Sequence, residues 1–194
     1  MRVFLGITGA SGAPYAARLL AGLVASGCEV GISASAAGVE VLATELYGDP
    51  SLPRGETLDR FAGGHDGVTV YEPNDYSSPY ASGSARVDAY VVCPCSMSTV
   101  GTLAAGAMAN LIHRAASVAL KERRMLLLVP RETPLSSIHL RGLATLHEAG
   151  AVILFAAPGF YHGPTSVDDL VDFVVARILD QLGVEHSLTA RWGQ

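Results

Sequence analysis

Charge is scarce in this sequence: 16% of its 194 residues are Asp, Glu, Lys or Arg, with a formal net charge of −5 and no block of lysine or arginine. That balance excludes nucleic acid and anionic membrane as partners and leaves a small ligand as the object of the chemistry. Cysteine is nearly absent too. Three residues are too few for a disulfide framework, and Cys93-Pro94-Cys95 lacks the second ligand pair of a zinc site, so these two read as reduced residues at a strand end. No run of about 18 apolar residues occurs, which excludes a membrane-spanning helix. No basic leader or cleavage signal precedes the first apolar run, as in a cytoplasmic protein, and no internal repeat divides the chain.

What the sequence has in quantity is apolar surface, 49% of its residues. A chain of this length buries about 70% of its extended surface as one domain, here residues 1–194, and the apolar excess predicts burial between subunits. The elements alternate. A strand over 3–5 leads through GITGASGA to a helix with Ala16, Leu19, Leu20, Leu23 and Val24 on one face. A strand over 28–34 and a helix to Tyr47 follow, then a connection over 49–67 and a strand over 68–71. Further strands are expected at 89–93, 125–129 and 151–155, with helices after Ser96 through Ala109, over 111–124 and 136–150, and after Ser166. Near-continuous apolar strands between helices predict an α/β fold, a three-layer doubly wound parallel sheet, Rossmann-like or flavodoxin-like.

Chemistry is expected at the carboxyl ends of the strands. Glycines 6, 9 and 12 let the backbone bend and approach a ligand, and Ser11 adds a hydroxyl at a helix start that favours phosphate; the competing reading is a glycine turn that only permits close packing. The spacing G-x-x-G-x-x-G is neither the dinucleotide nor the P-loop motif, and no acidic residue stands near Ser33–Ser35 for a ribose. Ser35 and the hydroxyls of Ser96, Ser98 and Thr99 stand at further strand-to-helix turns. Glu132, after Arg131, is the first candidate for proton transfer. Arg114 and Lys121, seven residues apart on a helix, could hold a polyanion or form a solvated face. Arg177, at the edge of the last helix's apolar stripe, could reach a ligand or snorkel to solvent. The loop over 74–84, with Tyr76 and Tyr80, is either a ligand lid or a loop packed by its own tyrosines. The small residues 101–109 leave room for a flat ring or a neighbouring helix.

In order, GITGASGA, the Ser35 turn, CPCS at 93–96, ALKERR at 119–124, VPRETPLSSIHL at 129–140, PGFYHGP at 158–164 and the terminal RWG resemble the flavin prenyltransferases of the UbiX type over almost the whole chain. The resemblance implies a homo-oligomeric, dodecameric flavoprotein that joins the dimethylallyl group of dimethylallyl phosphate to reduced FMN, without a metal. The prenylated FMN would serve a UbiD-type decarboxylase in ubiquinone or aromatic-acid metabolism. Carried over by motif, Gly9, Ala10, Ser11, Ser35, Ser96, Met97, Ser98, Thr99 and Arg131 would contact FMN. Arg114, Lys121, Tyr161 and Arg177 would surround the prenyl phosphate, with Tyr76 and Trp192 as aromatic neighbours; Glu132 would manage protons, and Ser11 and Glu45 would line the reacting centre. Ala36 stands where relatives often carry lysine, and Tyr76 where they often carry tryptophan. The alternatives are an FMN-dependent decarboxylase of the peptidyl-cysteine type, whose Pro-Ala-Ser-Ala-Asn-Thr signature is replaced here by PCSMST, and a flavin carrier.

Overall fold

A computed structural model describes residues 1–189 of the chain. Six strands form one parallel sheet: β1 (Arg2–Ile7), β2 (Glu29–Ala34), β3 (Val68–Val70), β4 (Ala89–Cys95), β5 (Met125–Pro130) and β6 (Val152–Ile153), in the order β3-β2-β1-β4-β5-β6. Leu5 lies level with Ile32 of β2 and Val91 of β4, and Val91 with Leu127 of β5. Both faces of these strands are covered, so alternate residues enter two separate cores. Leu5, Ile32, Val91 and Leu127 face α1 (Ala13–Ala25), α2 (Ala36–Tyr47), α3 (Arg54–Ala62) and α7 (Val167–Leu182). Phe4, Tyr90, Val92 and Leu128 face α4 (Met97–Ala104), α5 (Leu111–Lys121) and α6 (Ser137–Glu148). The winding direction reverses between β1 and β4, and the crevice above their carboxyl ends is where an open α/β sheet receives a ligand.

The first helix forms as its stripe predicts: Ala16, Leu19, Leu20 and Leu23 are buried, and Val24 packs half-exposed at the border. Gly6 differs from its expected role. It lies inside β1, where a Cβ would meet the Ile112 side chain at 2.8 Å, so it admits α5 and does not shape the turn. The connection over 49–67 contains α3, an amphipathic helix of about two and a half turns that burying Leu58 and Phe61 stabilises despite its polar composition. Helix α4 stops at Ala104 because Gly106 adopts φ +69°, well before Ala109. Helix α5 stops at Lys121, where Arg123 takes φ +54°. Strand β6 is two residues long and stands at the edge of the sheet.

The loop over 74–84 is held by a core residue. Tyr80 is 1% exposed, stacks obliquely on Phe4 with ring centroids 5.1 Å apart, and covers Gly31 so closely that a Cβ there would fall 2.0 Å from its ring. Of the two readings of this loop, packing on its own tyrosine accounts for its lower half; Tyr76 stays exposed above it. Among the described residues no helix is long and apolar enough to cross a membrane.

Candidate active site

Three strand ends meet at the crevice. Thr8, 2% exposed and directly after β1, donates from Oγ1 to the Pro94 carbonyl at 2.9 Å and accepts the Ser96 N–H at 2.7 Å. It thereby fastens the first strand end to the start of α4. Ser96 caps α4: its Oγ accepts the Thr99 N–H at 3.3 Å and lies 3.1 Å from the Thr99 hydroxyl, while Ser98 stays exposed. The N–H groups of Met97 and Ser98 lie in the first turn of this helix, where no helical carbonyl precedes them. Ser35 caps α2 in the same manner, accepting the Gly38 N–H at 3.0 Å, and donates its own N–H to the Ile7 carbonyl. Burial pushes the Cys95 thiol up to about 12 and that of Cys93 up as well, which keeps both protonated and out of nucleophilic chemistry.

The glycine turn itself is filled from within. A Cβ on Gly9 would approach the Ala37 methyl to 2.6 Å, and Gly12 takes φ +135° against Tyr15 and Pro94, so both glycines answer to packing. The first N–H groups of α1, those of Gly12 and Ala13, donate to Glu45 Oε2 at 2.9 and 2.8 Å. The sequence leaves that helix start open between a phosphate site and a packing turn; in the structure a carboxylate lies there, brought from α2 across 33 residues. Glu45 thus sits beside the turn, with its position fixed by the α1 terminus.

Arg131 and Glu132 follow β5. Arg131 Nε donates to the Ser11 carbonyl at 3.2 Å, so the guanidinium lies over the glycine turn. Glu132 accepts the Thr133 N–H at 3.2 Å and lines a cavity of about 390 Å³ with Met97, Ser98, Gly101 and His139. Ser98 and Glu132 therefore border one opening, and Arg131, the neighbour of Glu132 in the chain, reaches Ser11 in the glycine turn.

Other expected site residues lie elsewhere on the same protomer. Arg114 is one turn into α5 and donates from Nε to the Ala81 carbonyl at 2.9 Å, beneath the loop that carries Tyr76. Lys121, at the far end of α5, pairs with Glu122 beside Gly83. Glu132 follows the end of β5 and Lys121 precedes its beginning, so the two are separated by roughly 20 Å of strand. Tyr161 meets Phe173 edge-on at 5.6 Å, and Arg177 lines a cleft of about 320 Å³ with Phe155 and Phe173 at the β6 edge. Trp192 lies outside the described residues. Thr8 was not among the candidates, although a hydroxyl directly after an apolar strand was a readable signal.

The Flavoprotein family model matches residues 1–179. Flavin prenyltransferase UbiX of Pseudomonas aeruginosa is 52% identical over 199 aligned positions, covering 100% of this chain and 94% of that protein. The chain belongs to the flavin prenyltransferase family. The solved AnUbiX in complex with FMN and dimethylallyl pyrophosphate has a TM-score of 0.87 at 37% identity, over 100% of this chain and 97% of that one. A dodecameric FMN-dependent Ubix-like decarboxylase from Escherichia coli O157:H7 has the same TM-score at 39% identity, each chain being covered in full. The FMN-dependent cysteine decarboxylase TvaF, at 16% identity and a TM-score of 0.63, shares the fold alone. Among flavin prenyltransferases the chain thus has full-length relatives, whereas its likeness to this cysteine decarboxylase stops at architecture.

Proposed function

We propose that the protein joins the dimethylallyl group of dimethylallyl phosphate to reduced FMN, and that the prenylated FMN passes to a UbiD-type decarboxylase in the cytoplasm. The observation that carries this reading is the opening that Ser98 and Glu132 line beyond the strand ends, with Arg131 bonded to Ser11 of the glycine turn, in a chain that full-length flavin prenyltransferases resemble. Its donor set fits FMN. Exposed Gly9 and Ser11, buried Ala10, Ser35, and the Ser96–Thr99 turn offer hydroxyl and N–H groups, and Arg131 offers a guanidinium. Because Glu45 holds the α1 donors, the Met97 and Ser98 N–H groups at the α4 start receive the flavin phosphate.

Reduced FMN supplies the electron-rich ring that the allyl group joins. The chain's task is at the other end of the breaking bond, where an allylic C–O cleavage leaves a phosphate and positive charge on carbon. Arg114, Lys121 and Arg177 hold the leaving phosphate, Tyr161 and Tyr76 flank the allyl fragment, and Glu132 moves a proton toward the departing oxygens. In one copy these groups stand apart: Arg177 near the β6 edge, Arg114 and Lys121 along α5, and Glu132 beyond the end of β5. The complete site therefore lies between copies of the chain, each lending a different edge, in an assembly of the dodecameric kind. Incubating protein with reduced FMN and dimethylallyl phosphate, without added metal, should raise the mass of the released flavin by the prenyl group. Recovery of unmodified FMN alone would leave a carrier.

A further inference from the structure

Beyond Arg177 the chain forms a hydrogen-bonded series that no part of the crevice uses. Arg177 Nη1 donates to Asp180 Oδ2 at 2.7 Å, one turn further along α7. The other oxygen, Asp180 Oδ1, lies 3.2 Å from His186 Nε2. Helix α7 ends at Gly183 in the left-handed region, which turns the chain back, and buried Val184 and half-buried Leu188 pack the returning segment onto the core. The His186 side chain is 6% exposed. Its Nδ1 accepts the Leu188 N–H at 3.3 Å. With one ring nitrogen accepting from the backbone, the neutral imidazole carries its proton on Nε2 and donates it to Asp180.

An exposed pair three residues apart on a helix contributes little by itself. This pair differs because the carboxylate is held from behind by a buried, tautomer-fixed imidazole rooted in the core. The fixed carboxylate in turn engages one corner of the Arg177 fork. Arg177 lines the cleft with Phe155 and Phe173, next to Tyr161, and its remaining N–H groups stay available to an anion.

We propose that His186 and Asp180 are positioning residues for Arg177: the segment after α7 orders its guanidinium at the cleft before the phosphate of the prenyl donor arrives. Ordering a long side chain in advance removes rotamer freedom that binding would otherwise have to remove, and a partner behind the liganding group fixes its direction. The inference rests on the reading of Arg177 as a ligand of the prenyl phosphate given above. It adds a reason for this chain to keep a carboxylate and an imidazole where neither touches substrate.

The test measures calorimetric binding of dimethylallyl phosphate to protein loaded with oxidised FMN, where no turnover occurs. Asp180→Asn and His186→Leu should each weaken donor binding about three- to tenfold, the range of a lost partner behind a ligand at a partly exposed site. FMN affinity should stay the same, and KM for the donor should rise more than kcat falls. His186→Gln, whose amide N–H replaces Nε2–H, should restore most of the affinity. In an Arg177→Ala background Asp180→Asn should add nothing. If Arg177→Ala weakens binding while Asp180→Asn does not, the positioning role is wrong and the proposed function stands. Tighter binding in Asp180→Asn would make Asp180 a competitor for Arg177 and overturn the proposal, as would additive losses in the double variant. An Arg177→Ala variant with unchanged donor affinity would remove both the positioning role and the assignment of Arg177. Should His186→Leu fail to fold, the near-isosteric Asp180→Asn carries the same comparison.

Discussion

Glu132 and Glu45 are two carboxylates beside one crevice with different work to do. Glu132 faces the cavity shared with Ser98 and His139. That place suits its carboxyl group to pass a proton to the leaving phosphate. Glu132→Gln should fold and bind FMN yet form prenylated flavin about a hundredfold more slowly, as for loss of a positioned acid–base group. Single-turnover rates at saturating substrates decide it, and a wild-type rate would exclude Glu132 from the chemistry. Glu45 instead accepts the Gly12 and Ala13 N–H groups. Removing it in Glu45→Ala leaves a helix start without its anion and should lower stability by about 1 kcal/mol, some 2–4 °C in midpoint. Inorganic phosphate should then raise the melting temperature of the variant more than that of the wild type; equal shifts would mean that the α1 start is closed to anions for another reason. Glu132 was legible because it follows a strand-end arginine in a motif. The use of Glu45 was not, since nothing local joins residue 45 to a helix start 33 positions earlier.

Single elements carry their own tests. The Tyr80 ring lies against bare backbone at Gly31, where a Cβ would fall 2.0 Å from the ring. Gly31→Ala must push Tyr80 off the sheet and should cost about 2–3 kcal/mol, read as a lower denaturation midpoint at constant m-value. An unchanged midpoint would show that the 74–84 loop is not anchored there. His113, near the start of α5, is buried and accepts the Ala109 N–H on Nδ1 at 3.2 Å, and burial holds its pKa below the usual 6.5. The unfolded chain therefore binds the proton more readily than the native one. Stability from this group is complete above the ordinary histidine value and is lost as pH falls through the lower native value. His113→Gln should flatten that acid-side decline, and an identical decline in the variant would locate its source in other groups. Strands β1, β4 and β5 and helix α1 were readable from periodicity. Helix α3 was not, because its nine residues are polar on average and only contact with the core makes their stripe of Leu58 and Phe61 count.

At the scale of the whole molecule, one protomer does not gather the expected site. Lys121 and Glu132 stand at opposite ends of β5, and Arg177 and Tyr161 at the outer edge beyond β6. Exposed Ile138, Leu140, Phe155, Phe160, Tyr161 and Val167 put large apolar side chains on α6, on the segment between β6 and α7, and at the start of α7. Light scattering should therefore show a high-order assembly, and activity should fall on dilution below its dissociation constant; a fully active monomer would end the shared-site reading. Sequence alone determined the parallel doubly wound class, the strand-end turns that carry hydroxyls, and the motifs that mark a flavin prenyltransferase, because strand burial, capping and glycine turns are written within a few neighbouring residues. Tertiary structure decided what those residues face: a carboxylate at the α1 start, a threonine joining β1 to β4, a tyrosine beneath a loop, and a cation and a carboxylate at opposite ends of one strand. Those pairings join residues tens of positions apart, and local propensity carries no information about which distant group will complete a hydrogen bond, fill a bare glycine or stand across the sheet.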